Sequence, residues 1–380
     1  VAEAVDAEQG DRYLDRCVHG DISLVNDRRI QVRPMVKRLE MLEEVHALQV
    51  SPERPFASAT HEEIMAGHTT DVYFVKTVDI LRACGKLEVP VVAEIFPRYD
   101  GIFAGLNEAL SLLKGSKVEV YALPEGVPFK AKDVVFRIHG PYSAFGIYET
   151  TILGILASSS SWATAARECV EAACGKPVLC FGARHVHPAV APVMERVAVA
   201  VGGCSSASCI LGAKLAGIEP QGTIPHAAIL IVGDTVELAL LYDKCIPEEE
   251  ARTILVDTFK DEAEESLRVA EALGGKLAGV RLDTPGERGG VTPELVREVR
   301  WRLDKAGFTD VKIVVSGGLS PDRVRELAQA GADFFGVGSY IAHARAIDMT
   351  MDIKVVDGVP TAKRGRLPGI VENPLLRRAL

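Results

Sequence analysis

A chain of 380 residues, 48% hydrophobic and 25% charged, is long enough for one large α/β unit with smaller flanking elements, and its composition excludes wholesale disorder. The formal charge of -9, from 43 basic and 52 acidic residues, argues against a nucleic-acid partner held by general phosphate attraction and confines any phosphate site to a local cluster. Apolar stretches such as Ala227 to Val232 fall far short of the roughly 20 residues that cross a bilayer. The start, Val1-Ala2-Glu3-Ala4, has no secretory pattern and lacks an initiator Met, which suggests trimming. No membrane partner is expected, and a cytoplasmic setting is. Cysteines at 17, 84, 169, 174, 180, 204, 209 and 245 form no C-x-x-C pair, so buried free thiols are expected rather than structural zinc or disulfides.

Along the chain, the spacing of Met35, Leu39, Leu42 and Val45 predicts an N-terminal helical arm that ends in the stretch Ser51 to Pro55. From Ala57 to about Ala157, short β-type runs at Val91 to Phe96 and Val118 to Leu123 alternate with Gly and Pro, which predicts a small α+β domain. Ile147 to Ala166 reads as a long apolar helix connecting this domain to a second one. Beyond Gly175 the pattern becomes regular: apolar runs end at Phe181-Gly182-Ala183-Arg184, Gly202 to Ser206, Gly222 to His226, Val256-Asp257-Thr258, Val280 to Asp283, Val315 to Gly318 and Phe335 to Ser339. No G-x-G-x-x-G opens a helix, so seven βα ends predict a closed or nearly closed β/α barrel with its reactive groups where strands end.

The two glycine loops are the strongest chemical signal. Val314-Val315-Ser316-Gly317-Gly318 and Gly336-Val337-Gly338-Ser339 close the last two strand runs, and backbone N–H groups there can approach a monophosphate. Either loop alone would merely end a strand. Asp257 and Asp283, at the ends of neighbouring runs, offer carboxylates to ribose hydroxyls or magnesium. Arg281 offers a planar fork to phosphate oxygens. A helix N-cap is the competing reading for each carboxylate. In Phe181-Gly182-Ala183-Arg184-His185-Val186-His187, an aromatic can stack on a flat heterocycle and Arg184 can pair with a carboxylate. His185 and His187 lack a further ligand and do not read as a metal site.

As a set, Phe181-Gly182-x-Arg184, Gly222-Thr223-Ile224-Pro225-His226, Val256-Asp257-Thr258-Phe259, Val280-Arg281-Leu282-Asp283, the two glycine loops and the early Thr70-Asp71-Val72-Tyr73-Phe74 resemble the nicotinate phosphoribosyltransferases, from about Ile64 to Ala346. The resemblance implies an incomplete β/α barrel, an α/β sandwich domain and a head-to-tail homodimer. It divides the chain into an arm (1–56), a sandwich with linking helix (57–166), a catalytic barrel (167–346) and a C-terminal segment returning to the sandwich (347–380). By the same resemblance Tyr73 arrives from a partner subunit and sandwiches the pyridine ring against Phe181, and Arg184 meets the base's carboxylate with Ser205 or Ser206 assisting. Arg281 and Asp283 hold ribose and phosphates, Asp257 faces the ribose-pyrophosphate end, and Ser316, Gly317, Gly318, Gly336, Val337, Gly338 and Ser339 take the 5-phosphate. Magnesium would sit between Asp257 or Asp283 and pyrophosphate.

His226 matches the family's phosphorylatable histidine, which in many members couples ATP hydrolysis to synthesis. Here Ala227 replaces the acid that commonly comes next, so phosphorylation and a simple substrate contact both stay open. The implied reaction joins nicotinate to phosphoribosyl pyrophosphate. Quinolinate or nicotinamide transfer, and a non-catalytic phosphate-binding barrel, are the alternatives.

Overall fold

The computed structural model describes residues 36–380, of which Arg38–Leu380 form one compact unit. Of the arm expected over 1–56, residues 1–35, Met35 among them, lie outside the described residues. The described remainder carries only α1 (Leu42–Ala47). After α2 (His61–Met65) and α3 (Val72–Ala83) come β1 (Pro90–Pro97), β2 (Gly101–Ile102), α4 (Leu106–Leu113), β3 (Glu119–Ala122), β4 (Pro128–Phe129), β5 (Phe136–Pro141) and α5 (Tyr142–Phe145).

Helix α6 (Glu149–Ala172) is next, and it runs past the predicted end at Ala166 because Cys169 and Ala172 continue its buried stripe. Cys174 and Gly175, both at positive φ, stop it. Then come β6 (Val178–Cys180), a 3₁₀ turn (Ala183–His185), α7 (Ala191–Ala200), β7 (Ser206–Ala207), α8 (Ile210–Leu215), α9 (His226–Val232), α10 (Thr235–Cys245) and β8 (Arg252–Leu255). Further on, α11 (Glu262–Leu273), β9 (Leu277–Leu282), α12 (Pro293–Lys305), β10 (Lys312–Val315), α13 (Pro321–Ala330), β11 (Phe334–Val337) and α14 (Ser339–Ala342) alternate, before β12 (Met349–Val356), β13 (Val359–Pro360) and β14 (Arg377–Arg378).

One sheet, ordered β13-β12-β1-β5-β3-β14, pairs antiparallel throughout, with β12 lying along β1 from Pro97 to Val91. Its buried face packs Ile95, Phe136 and Ile138 against Ile152 and Leu156 of α6. The second sheet is parallel, ordered β7-β6-β11-β10-β9-β8. Chain order therefore runs round a barrel from β6 to β11 and back to β6, and the sequential pair left without hydrogen bonds is β7 and β8. The barrel is incomplete, open at that seam.

Six strands build it rather than the seven expected. The run Gly222 to His226 ends no strand but links α8 to α9 on the open side. Pro220 and Pro225 bracket it, and neither can donate to a ladder.

The parallel strands read as near-continuous apolar runs because both faces are covered: Ile254, Val256, Val280, Leu282, Ile313, Val315, Phe335 and Val337 are all buried. The turns after them carry their own start signals. Asp261 accepts from Ala263 N and Glu264 N, Thr292 from Leu295 N and Ser320 from Arg323 N, with Pro293 and Pro321 at first helical positions. Each cap is worth about 1 kcal/mol, and together they fix where each strand-end loop stops and its helix begins. Thiols are mixed: Cys169, Cys180 and Cys204 are buried as expected, whereas Cys84, Cys174 and Cys245 are exposed, at or just past helix ends. Among the described residues no helix is long and apolar enough to cross a membrane.

Candidate active site

The strand-end residues converge on Arg281. From the end of β9, its Nε donates to Ser316 Oγ at 2.9 Å, one terminal nitrogen to Thr223 Oγ1 at 2.8 Å, and the other to Asp283 Oδ2 at 3.2 Å. Its guanidinium carbon lies 5.5 Å from the centre of the Phe181 ring, a cation stacked on an aromatic face. Ser316 Oγ in turn donates to Asp283 Oδ1 at 2.7 Å. One planar fork thus ties the ends of β6, β9 and β10 to the loop before α9.

Beside it, Asp257 Oδ2 and His226 Nε2 are 2.9 Å apart. Asp257 Oδ1 is buried without a hydrogen-bond partner. Burial raises the Asp257 carboxyl above its ordinary range, the nearby Asp283 charge adds to this, and the His226 bond opposes it. No group of three or more His, Cys, Asp or Glu among the described residues is arranged to hold a metal. A cation here would draw on the free Asp257 oxygen, Asp283 and oxygens brought by a ligand.

In the first glycine loop, Gly317 and Gly318 have φ of 91° and 62°, a left-handed pair that glycine adopts without strain. Gly336 and Gly338 are also small for a reason inside the chain. A Cβ on Gly336 would lie 2.5 Å from the Phe181 ring, and one on Gly338 would lie 2.7 Å from Phe181 O and 3.0 Å from His185 Nε2. These glycines make room for Phe181 itself. Gly336 and Val337 are buried within β11, and Ser316 is buried at the end of β10. A cavity of about 560 Å³ is lined by Gly318, Ser320 and Ser339 of the two loops together with Glu168, His343 and Arg345.

Arg184 lies on the 3₁₀ turn after Phe181, exposed, with no ion pair among the described residues. His185 on the same turn meets His343 with ring centres 5.5 Å apart. Burial, then Arg184 and His343, push the His185 pKa down. The serines expected to assist Arg184 lie elsewhere. β6 and β7 pair Leu179 with Ser206 and Cys180 with Ala207, so Ser208 is the residue level with Phe181. Ser205 Oγ donates to Val178 O at 3.0 Å, near the strand's start, and Ser206 Oγ is buried and unpaired. The apolar run that ends at Gly202 is the last turn of α7 rather than a strand, and β7 begins only at Ser206. Tyr73, in the first turn of α3, is 55% exposed and packs on Phe74, ring centres 4.3 Å apart. Within this chain it makes no ring contact with Phe181.

Three contributors lay outside the sequence-based candidates. Thr223 sits inside the Gly222 to His226 motif, and its position before His226 was the available signal. Glu262, buried on α11, accepts from Thr284 Oγ1 at 2.7 Å and from Arg288 at 3.2 Å, holding the loop after Asp283. Glu195 on α7 accepts from Ala183 N at 2.9 Å and Cys209 N at 2.6 Å. An acid between Met194 and Arg196 carried no sequence signal of burial.

The chain matches two family models, "Quinolinate phosphoribosyl transferase, N-terminal domain" over residues 71–160 and "Quinolinate phosphoribosyl transferase, C-terminal domain" over residues 162–352. A nicotinate phosphoribosyltransferase of Mycobacterium tuberculosis is 29% identical over 325 residues, 80% of this chain and 68% of that protein. Among solved structures, nicotinate-nucleotide pyrophosphorylase from Pyrococcus furiosus aligns with TM-score 0.80 and 45% identity, covering 83% of this chain and 82% of that one. Human nicotinic acid phosphoribosyltransferase aligns with TM-score 0.64 at 19% identity over 79% of this chain and 77% of its own, a likeness of fold.

Proposed function

Because the chain belongs to the quinolinate phosphoribosyl transferase family, a phosphoribosyltransferase class of NAD biosynthesis, we propose that it joins nicotinate to phosphoribosyl pyrophosphate, giving nicotinate mononucleotide and pyrophosphate. The observation that carries this reading is the Arg281 fork, which joins Phe181, Thr223, Asp283 and Ser316 beside the buried Asp257. The pyridine nitrogen is itself the nucleophile. It forms a bond to the anomeric carbon while the bond from that carbon to pyrophosphate breaks, so no general base is needed and alignment is the main task. Phe181 offers one face to the ring, and the exposed Tyr73 of a second copy would cover the other. Arg184 pairs with the ring carboxylate. Asp283 and Asp257 lie where ribose hydroxyls and the positive anomeric carbon would sit, and the two glycine loops with Ser339 receive the 5-phosphate. The free Asp257 oxygen and Asp283 suit magnesium shared with pyrophosphate, where the ion would neutralise charge on the leaving group.

Quinolinate is the second reading, favoured by the 45% identity to the Pyrococcus furiosus pyrophosphorylase and by the His185–His343 pair beside Arg184. It would add loss of a carboxylate as carbon dioxide. Burial, Arg184 and His343 lower the His185 pKa, so Arg184 is the permanent cation on its turn. His226, bonded to Asp257 through Nε2, keeps Nδ1 for a phosphoryl group if ATP is used.

The test supplies nicotinate, quinolinate or nicotinamide with phosphoribosyl pyrophosphate and magnesium, with and without ATP, and measures pyrophosphate and carbon dioxide. Pyrophosphate from nicotinate is the expected result. Turnover of quinolinate with carbon dioxide release would replace this reading with the second, and no turnover of any base would leave a phosphate-binding barrel without catalysis.

A further inference from the structure

Beneath the Phe181–Arg184 turn lies a carboxylate for which the reaction has no direct use. Glu195 is fully buried on α7, with no basic side chain bonded to it among the described residues. Its Oε1 accepts from Ala183 N at 2.9 Å and from Ser208 Oγ at 3.2 Å, and its Oε2 accepts from Cys209 N at 2.6 Å. The two anchored segments are the turn that carries Arg184 and the end of β7 level with Phe181. The packing around the carboxylate is close: a Cβ on Gly182 would lie 2.6 Å from the Met194 methyl, and one on Gly212 would lie 3.1 Å from Glu195 Cβ.

A buried acid that trades solvation for backbone N–H groups is costly wherever apolar packing would serve. Its place between two strand-end loops gives it work there. Ala183 immediately precedes Arg184, and His185 N closes the same turn on Gly182 O at 2.9 Å. Arg184 has no ion-pair partner among the described residues, so its aim depends on the backbone beneath it.

We infer that Glu195 is a positioning residue for the base: by clamping Ala183 N–H and Cys209 N–H it holds Arg184 and the Ser208 edge at the distance a pyridine carboxylate requires. The inference rests on the proposed function, since it assigns the base to this turn.

Glu195→Gln tests it. Gln keeps the size but offers one acceptor and one NH₂ group, so a donor must face a donor at Ala183 or Cys209. Ser208→Ala is the milder companion, removing one donor and leaving both backbone clamps. KM for the base that the wild type turns over, KM for phosphoribosyl pyrophosphate, kcat and thermal unfolding are measured for each, with amide exchange at Ala183 and Cys209. The expected result for Glu195→Gln is a rise in base KM on the order of tenfold, with KM for phosphoribosyl pyrophosphate within about twofold and faster exchange at both amides. Ser208→Ala should shift base KM in the same direction by about twofold.

A lowered unfolding temperature with both KM values unchanged, or equal rises in both, overturns the inference. If the wild type turns over no pyridine base, the functional reading fails by itself. Glu195 is then judged on exchange, and unchanged exchange at Ala183 and Cys209 in Glu195→Gln overturns its clamping role.

Discussion

Replacing Arg281 with Lys keeps the charge and removes the fork. The guanidinium reaches Thr223, Ser316 and Asp283 at 2.8, 2.9 and 3.2 Å from three different nitrogens, and its side chain is only 15% exposed. A Lys ammonium is a point charge on a single nitrogen, so it can keep the Asp283 contact or one hydroxyl but cannot span all three. Two charge-assisted bonds are then lost, each worth at least about 1.5 kcal/mol, and about 3 kcal/mol corresponds to a loss near 100-fold in kcat/KM. The stacking over Phe181 loosens as well. Initial rates against phosphoribosyl pyrophosphate at saturating base give the number, and thermal unfolding gives the stability share. If kcat/KM stays within about threefold of wild type while the unfolding temperature falls, Arg281 braces the barrel mouth without acting on substrate, and the reasoning fails.

Arg184→Ala should weaken nicotinate on the order of 2 to 5 kcal/mol by stranding its carboxylate, with phosphoribosyl pyrophosphate nearly untouched; loss of the pyrophosphate substrate instead would make Arg184 a phosphate ligand. Gly338→Ala should raise both KM values, because the new Cβ meets Phe181 O, whereas Gly317→Ala, which meets only Asp283 at 3.1 Å, should act on phosphoribosyl pyrophosphate alone; matching profiles for the two variants would refute that split. Burial lifts the Glu149 carboxyl from its ordinary 4.5 to about 7, so the folded state holds this proton more tightly than the unfolded chain. That contribution is complete below pH 4.5 and is lost as pH rises through about 7. At about 1.4 kcal/mol per tenfold in proton affinity it is on the order of 3 kcal/mol at most. Denaturant unfolding should show higher stability at about pH 5.5 than at about pH 8, and Glu149→Gln should shrink the difference; a variant with the wild-type pH profile would discount Glu149.

Asp257, Arg281 and Asp283 could be read from the sequence because each lies at the end of an apolar strand run, where a parallel barrel collects its polar groups. Phe181 ends such a run too, and Arg184 follows on the turn beyond it. The level of Ser205 and Ser206 was not legible because register is a pairwise property: three residues along the chain separate Ser208, level with Phe181, from Ser205, bonded to Val178 O. That Gly338 must also be small for Phe181 O was not legible, since the chain does not say that this oxygen lies against it.

What the chain determined by itself is the alternation of apolar strand runs with capped helices, because hydrophobic period and N-cap chemistry act over a few residues. The open seam between β7 and β8 was not written locally. It depends on the failure of Gly222 to His226 to pair, and pairing is decided by partners far along the chain. The burial of Glu195 was likewise settled only by folding: an acid on one helical turn becomes a clamp when two loops from other strands bring N–H groups to it, at distances no sequence spacing encodes.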